Sequence, residues 1–466
     1  MISIILLSVF GILNLFLGFL RSNKVLLPGA MLLLLAVFGA NLADWNALHE
    51  PYFNNMLVVD NYTVAFTGIV LLTTIVLLPF SRSYVLAGES NLAEYYALLL
   101  FSLVGAIMMV GYDHLLMLFV GIEILSISMY VLAGSSKRDS RSNEAALKYF
   151  LMGAFATGIL LFGIALLYGA TGTFALSQLA TAVAAPANAS LAPMLYIGIL
   201  LMIIGIGFKV SAAPFHFWTP DVYEGTPTFF TAFMSTVVKT AGFAAFLKLL
   251  AVALPAAQGF WMPTIQAMCA LTLLLGNVGA AAQTSTKRML AYSSVSHAGY
   301  LLIGLVASQG RLTGDAANGI FFYSLAYSIA TVAAFGVLKL VADHRQRDDY
   351  TGLNGLGKTN PLLAFTMTVA MLSLAGIPLT GGFFGKFFLL AAAAGQGNIG
   401  LVVFAVVMSM VGLYYYLRPL IAMYLRPAEE SATPVPVDGI QTATLALLVL
   451  LTLVLGITPG FLSGIL

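Results

Sequence analysis

Charge is what this sequence has least of. Only 8% of its 466 residues are Asp, Glu, Lys or Arg, while 60% are hydrophobic. A soluble globular domain carries about 25% charged residues. The chain is therefore read as a polytopic membrane protein. Cysteine is nearly missing too: Cys269 stands alone. That excludes a disulfide framework, a cysteine-held iron–sulfur cluster and a cysteine-based zinc site within this chain. The five histidines are scattered without metal-ligand spacing. No glycine-rich nucleotide motif falls in a strand–turn–helix setting. No cofactor, metal or redox site is expected here. The net charge of +2 points to no nucleic-acid partner. A basic leader and a small-residue cleavage site are both lacking, so residues 1–20 read as a first membrane helix.

What the chain has is long apolar runs. Spanning a hydrocarbon core takes roughly 20 residues of helix. Suitable stretches fall near 2–20, 25–40, 60–80, 94–111, 113–134, 144–170, 191–217, 226–254, 261–283, 287–307, 316–341, 360–395, 399–425 and 438–458. This predicts an all-α integral membrane protein of about fourteen transmembrane helices. The longest polar connections are 41–59, 171–190 and 342–359. Loops after odd-numbered spans carry Arg21, Lys24, Arg82, Lys137, Arg138, Arg141, Lys287, Arg288, Arg345, Arg347, Lys358 and Arg426; loops after even-numbered spans carry only Arg311. Positive residues stay on the cytoplasmic side. Odd loops are thus expected in the cytoplasm and both termini in the periplasm, with the Asp221–Glu224 loop cytoplasmic.

Few charges remain at membrane depth. Glu123 is the one deep acid, in span five; Lys209, Lys239 and Lys386 are the deep bases, in spans seven, eight and twelve. His297 is central in span ten, among Ser293, Ser294 and Ser296. Two spans hold breakers. Pro214 follows Lys209 by five residues, and Pro378 precedes Lys386 amid Gly376, Gly381, Gly382 and Gly385. Proline removes a helix hydrogen bond and clashes with the preceding turn, leaving polar backbone that needs a cavity or a partner at that depth. Lys148, Lys248, Lys339 and Arg418 lie nearer helix ends and are expected to snorkel to the interface. Glu144 and Lys148 are spaced for a simple i, i+4 pair.

Each buried charge costs about 2.5–3.5 kcal/mol on insertion scales. Ion pairs gluing helices would offset this, but one acid cannot pair three lysines. Burial disfavours the charged form of a lysine, which turns an unpaired one beside an acid into a proton-loading site. Glu123, Lys209, Lys239, His297 and Lys386 are accordingly read as a proton path. Intramembrane charge beside broken helices is also the plan of inverted-repeat transporters. The breaks fall five spans apart, so spans four to eight and nine to thirteen are expected as two inverted five-helix units. The layout is then 1–93, three N-terminal helices; 94–254, first repeat; 261–425, second repeat; and 438–466, a C-terminal helix. Lys209 precedes its proline whereas Lys386 follows its own, so the repeat is inferred from topology alone.

The stretches FKVSAAPFHFWTPDVYEGTPT, KRMLAYSSVSHAGY and GIPLTGGFFGKF resemble the antiporter-like membrane subunits of bacterial respiratory complex I (NADH-quinone oxidoreductase). HFWTPDVYEGTP and Lys386 are most similar to the subunit N branch. One departure is the pair Phe229–Phe230 after Pro227-Thr228, where a smaller residue and valine are usual. The resemblance implies a proton-translocating subunit without redox groups. It implies a Glu123–Lys209 pair, a central Lys239 and His297, and an outward-side Lys386. NADH, FMN, iron–sulfur clusters and quinone would belong to other subunits. The expected partners are a neighbouring antiporter-like subunit, small membrane subunits and the lipid of a bacterial inner membrane. A cation/proton antiporter subunit of the Mrp type is the alternative, and a structural spacer a third reading.

Overall fold

A computed structural model describes residues 1–19, 23–86, 91–185, 189–428, 433–462 and 464–465. Arg21, counted above among the loop cations, lies outside the described residues. The chain is helical throughout, with only isolated bridges and no strand among the described residues. The main helices are α1 (Ile2–Leu17), α2 (Leu26–Ala43), α3 (Asn61–Leu77), α4 (Leu92–Gly111), α5 (Leu115–Ala133), α6 (Ser140–Thr171) and α7 (Ala192–Lys209). After a break come α8 (Thr228–Ala253), α9 (Gln258–Ala281), α10 (Thr286–Ser308) and α11 (Asp315–Arg345). Then follow α12 (Pro361–Ala375), α13 (Gly381–Gly395), α14 (Ile399–Leu425) and α15 (Gly439–Ile457). Twelve of the described helices are long and apolar enough to cross a membrane; α1, α12 and α13 are apolar but shorter.

Leucine, isoleucine, valine and alanine fill these segments, so backbone hydrogen bonding inside each helix is the only way to satisfy its polar groups in lipid. Local signals set the ends. The Asp60 carboxylate accepts from the Thr63 amide (2.8 Å) at the start of α3, and Asp438 with Gln441 forms a reciprocal cap on α15. Such caps contribute about 1 kcal/mol each. Glycines let neighbouring helices pack closely. Gly105 of α4 and Gly121 of α5 face each other so tightly that a methyl group on either would press on the other helix's backbone. Small residues of this kind let membrane helices approach.

Burial sorts the helices into an inner and an outer set. In α8, α10 and α11, 89%, 94% and 94% of the apolar window is covered, against 28% in α14. The inner set carries the polar side chains, while α6, α14 and α15 turn large apolar faces outward.

Three expectations need adjusting. The polar connection 171–190 contains a helix, Leu176–Ala184, seated by Leu176, Leu179 and Val183. The Asp221–Glu224 loop is part of a short helix, Trp218–Gly225. The first break is also wider than a single proline kink. Helix α7 stops at Lys209, Ser211 takes a positive φ of 63°, and helix resumes only at Trp218. The freed groups are bonded: the Ala213 amide donates to Thr272 Oγ1 (2.8 Å), and Trp218 Nε1 donates to the Phe208 carbonyl (3.0 Å).

Candidate functional site

The α7 break puts Lys209 at a helix C-terminus, where the helix dipole favours a cation. Its ammonium donates to Ser126 Oγ (2.7 Å) on α5 and lies 5.8 Å from the Tyr149 ring centre. Tyr149 in turn stacks on Trp218 from the short helix after the break. Glu123 is one turn from Ser126, half-buried and within electrostatic reach of Lys209. The structure thus brings Glu123 and Lys209 to one place, with the hydrogen bond going to the serine.

Lys239 follows a π-helical turn, Met234–Val238, inside α8. Such turns frequently mark functional positions. Its ammonium donates to the Ser294 carbonyl and to Ser294 Oγ (2.6 Å) on α10. The Tyr327 hydroxyl of α11 also donates to Ser294 Oγ (3.0 Å). Tyr223, from the short helix after the first break, packs edge-on against Trp218 and lies near Ser294 and Ser211.

His297 lies one turn past Ser294, 3% exposed. Its Nδ1 is 2.5 Å from the Tyr323 hydroxyl and its Nε2 is 2.9 Å from that of Tyr416, which also meets Ser293 Oγ. Tyr327 packs against the imidazole, and Tyr300 stands beyond it. Tyr300 then leads to Lys386, whose ammonium is 4.6 Å from its ring centre.

The second break is shaped by Gly376 and Pro378. Gly376 has φ 85°, its amide donates back to Leu372, and the Ile377 amide donates to the same carbonyl. This is a Schellman-type stop, which needs glycine at the left-handed position. Lys386 sits on α13, but its side chain folds back. It donates to the carbonyl of Ala375, the last residue of α12 (2.9 Å), and to Ser409 Oγ (3.2 Å).

No salt bridge holds Lys209, Lys239 or Lys386 among the described residues; each ends on neutral oxygens. Helix-gluing ion pairs therefore do not account for them. The serine and tyrosine partners carried little sequence signal. Only the serines around His297 stood out, and Tyr223, Tyr323, Tyr327 and Tyr416 are typical membrane-helix residues.

The residues expected to snorkel divide. Lys148 does reach the surface, pairing with Glu144 (2.8 Å) and Asp221 (2.9 Å). Asp221 continues to Arg288 (2.8 Å), and Arg288 to Glu224 (2.5 Å). This network rims a pocket of about 210 Å³. Burial pushes the Asp221 carboxyl up, but Lys148 and Arg288 outweigh it and hold the group below the usual carboxylate range. Arg418 donates to the Ala281 and Gln283 carbonyls at the end of α9. Lys339 is buried, bound to Asp343 (2.7 Å) and Ser83 (2.8 Å). Lys248 is buried at 3% exposure and does not reach the interface, because α3 and α4 pack over it. Among the described residues, no three or more His, Cys, Asp or Glu side chains gather to hold a metal ion.

Comparison with known proteins shows the family. The family described as "NADH:quinone oxidoreductase/Mrp antiporter, TM" matches residues 113–412. NADH-quinone oxidoreductase subunit N of Cytophaga hutchinsonii is 42% identical over 464 residues, covering 99% of both chains. The protein of the same name from Trichlorobacter lovleyi is 44% identical, covering 91% of this chain and 87% of its own. A chain of respiratory complex I from Thermus thermophilus superposes with a TM-score of 0.83 at 36% identity, covering 98% and 97% of the two chains. A chain of the Mrp complex from a Dietzia species shares the fold alone, with a TM-score of 0.84 at 23% identity. The chain belongs to the NADH-quinone oxidoreductase subunit N family, the antiporter-like membrane subunits of respiratory complex I.

Proposed function

We propose that this chain carries protons across a bacterial inner membrane as a non-redox subunit of NADH-quinone oxidoreductase. The observation that carries the reading is the polar row itself. Three membrane-depth lysines, each hydrogen-bonded to neutral oxygen, are joined by Ser294, His297 and a set of tyrosines through an otherwise apolar core. In this reading Glu123 sets the charge state of Lys209, Lys239 and His297 relay, and Lys386 serves the far side. The driving energy comes from electron transfer in other subunits, which hold NADH, flavin, iron–sulfur clusters and quinone.

The same reading gives fourteen crossings: α1, the twelve long helices, and α12 with α13 together as one interrupted span. Residues 94–254 and 261–425 then form two inverted repeats around the breaks at Pro214 and Pro378, flanked by 1–93 and 438–466. The loop cations put odd-numbered connections in the cytoplasm and both termini in the periplasm. The outward apolar faces meet lipid and neighbouring membrane subunits, another antiporter-like chain among them.

The test is Glu123→Ala in the assembled complex. NADH-driven proton pumping in proteoliposomes should fall with assembly intact, because Lys209 loses the acid that modulates it. Normal pumping at normal NADH oxidation would leave Glu123 with a structural role only.

A further inference from the structure

We propose that Lys248, Asp113 and Asp60 form a second proton-exchange site, opening on the face of the membrane that carries Arg311. The proposal rests on the proton-carrying reading above and extends it to residues outside the central row.

Lys248 is nine residues beyond Lys239 on α8. At 3.6 residues per turn that puts it on the opposite side of the helix, turned to α3 and α4 and away from α10. Tyrosines hold this side of α8 in place. The Tyr62 hydroxyl of α3 donates to the Ala244 carbonyl (2.8 Å), and that of Tyr112 donates to the Ala245 carbonyl (2.9 Å). The Lys248 ammonium is 5.8 Å from the Tyr112 ring centre. It has no hydrogen-bond partner among the described residues, unlike the three lysines of the central row. A lysine kept only for packing or charge would be expected to reach a fixed acceptor, since an unpaired buried donor is costly.

Two acids stand within electrostatic reach of that ammonium, Asp60 and Asp113. The fold brings them to one end of the molecule. The Val58 amide donates to the Gly111 carbonyl (2.8 Å) and the Asp113 amide to the Met56 carbonyl (2.9 Å), laying residues 56–60 along the α4–α5 corner. Asp60 and Tyr62 line an open pocket of about 580 Å³, with His49 also on its wall. Burial holds the Asp113 carboxyl above its usual range, with Lys248 opposing, Asp60 adding to the rise and His114 opposing. The titratable groups facing Lys248 are thus Asp60 at the cap of α3, Tyr62 within it, and Tyr112, Asp113 and His114 from the corner. A π-helical turn, Leu249–Ala253, follows Lys248 directly, as another precedes Lys239.

The exchange is a plain proton transfer. A Lys248 N–H bond breaks and an Asp113 carboxyl O–H bond forms, directly or through one water. The carboxylic acid then gives its proton to solvent in the pocket at Asp60. Run in reverse, the same groups take a proton up. No oxidant, reductant or other reactant is needed.

The test uses the assembled complex in proteoliposomes, reading protons moved per NADH oxidised. Lys248→Met and Lys248→Arg should both lower this ratio, by at least half the drop seen in Lys386→Met. Arginine keeps the charge but cannot release a proton at accessible pH. If Arg restores what Met loses, Lys248 is a fixed structural cation and the proposal fails. If both variants pump normally while Lys386→Met does not, the proposal fails and the wider reading stands. Normal pumping by all three would remove the wider reading as well. Should the Lys248 variants not assemble, Asp113→Asn decides. A lowered ratio that no longer responds to pH on the pocket side supports the site, and unchanged pumping with unchanged pH response overturns it.

Discussion

Lys386→Met removes an ammonium that the proposed function makes a proton carrier, while leaving its surroundings nearly intact. The ammonium donates two hydrogen bonds, to the Ala375 carbonyl and Ser409 Oγ. Bonds to a charged group contribute about 1.5–3 kcal/mol each. The Ala375 carbonyl is not orphaned by the change, because Ser409 Oγ also donates to it at 3.4 Å. Against the loss stands the removal of a membrane-depth charge, which costs about 2.5–3.5 kcal/mol to insert. The terms offset to a net loss of roughly 0–3 kcal/mol, small enough for a chain of this size to stay folded in its complex. Function should respond quite differently. Carrying one charge against about 100 mV takes about 2.3 kcal/mol, and methionine carries none. The assembled Met variant should therefore oxidise NADH while pumping fewer protons. Lys386→Arg should behave like it, since a guanidinium cannot be deprotonated in proteins. The assay is proton uptake into proteoliposomes at matched NADH oxidation, with assembly checked on native gels. Pumping by either variant at the parental ratio would take Lys386 out of the path.

Two more outcomes follow from the geometry. Tyr323→Phe deletes the hydroxyl at His297 Nδ1 and leaves a buried ring nitrogen unpaired, a cost of about 1–3 kcal/mol. It should slow coupled proton transfer on the order of tenfold, whereas Tyr292→Phe, outside the row, should leave the rate alone. Asp221→Asn bears on pH. The folded carboxyl lies below its unfolded value of about 3.9. Its stabilising effect is thus present above that value and fades as pH falls through the lower folded one. The parent's thermal stability should decline over that acid window, and the Asn variant should lack this part of the decline. The side chain is partly exposed, so the difference is small and shrinks further with salt.

Much of the fold was legible because lipid leaves a chain few options. Twelve of the predicted stretches reappear as long helices, most with ends shifted by a few residues, the seventh cut back from 217 to Lys209. The interior charges were equally legible, since apolar surroundings make each one conspicuous. Lys248 was misplaced for a physical reason. Its position along α8 suggested a helix end, but snorkelling requires an open side. The sequence of α8 alone cannot show that Tyr62, Tyr112 and the α4–α5 corner close that side. The row of hydroxyls was hidden because serine and tyrosine are ordinary in membrane helices. Only the fold shows that Ser126, Ser294 and Ser409 receive the three ammonium groups.

The two breaks looked unlike each other in sequence. Lys209 comes before its proline, and Lys386 comes after its own. In space the difference nearly disappears. Lys209 is itself the last residue of α7, and Lys386 reaches back across Gly376 to the carbonyl of Ala375, the last residue of α12. Both lysines therefore belong to the C-terminal end of the first half of an interrupted span, Lys209 by its place in the chain and Lys386 by its hydrogen bond. The carbonyls there have lost their intrahelical partners, and the helix dipole is negative. A cation can be held at that spot without an acid, and it can be neutralised without stranding a counter-charge. In the proposed function, lysine at a helix end, facing hydroxyls, is an arrangement that lets the charge change while the packing stays as it is. If the two halves are the inverted repeats of the proposed function, what they share is where the charge sits rather than which residue number carries it.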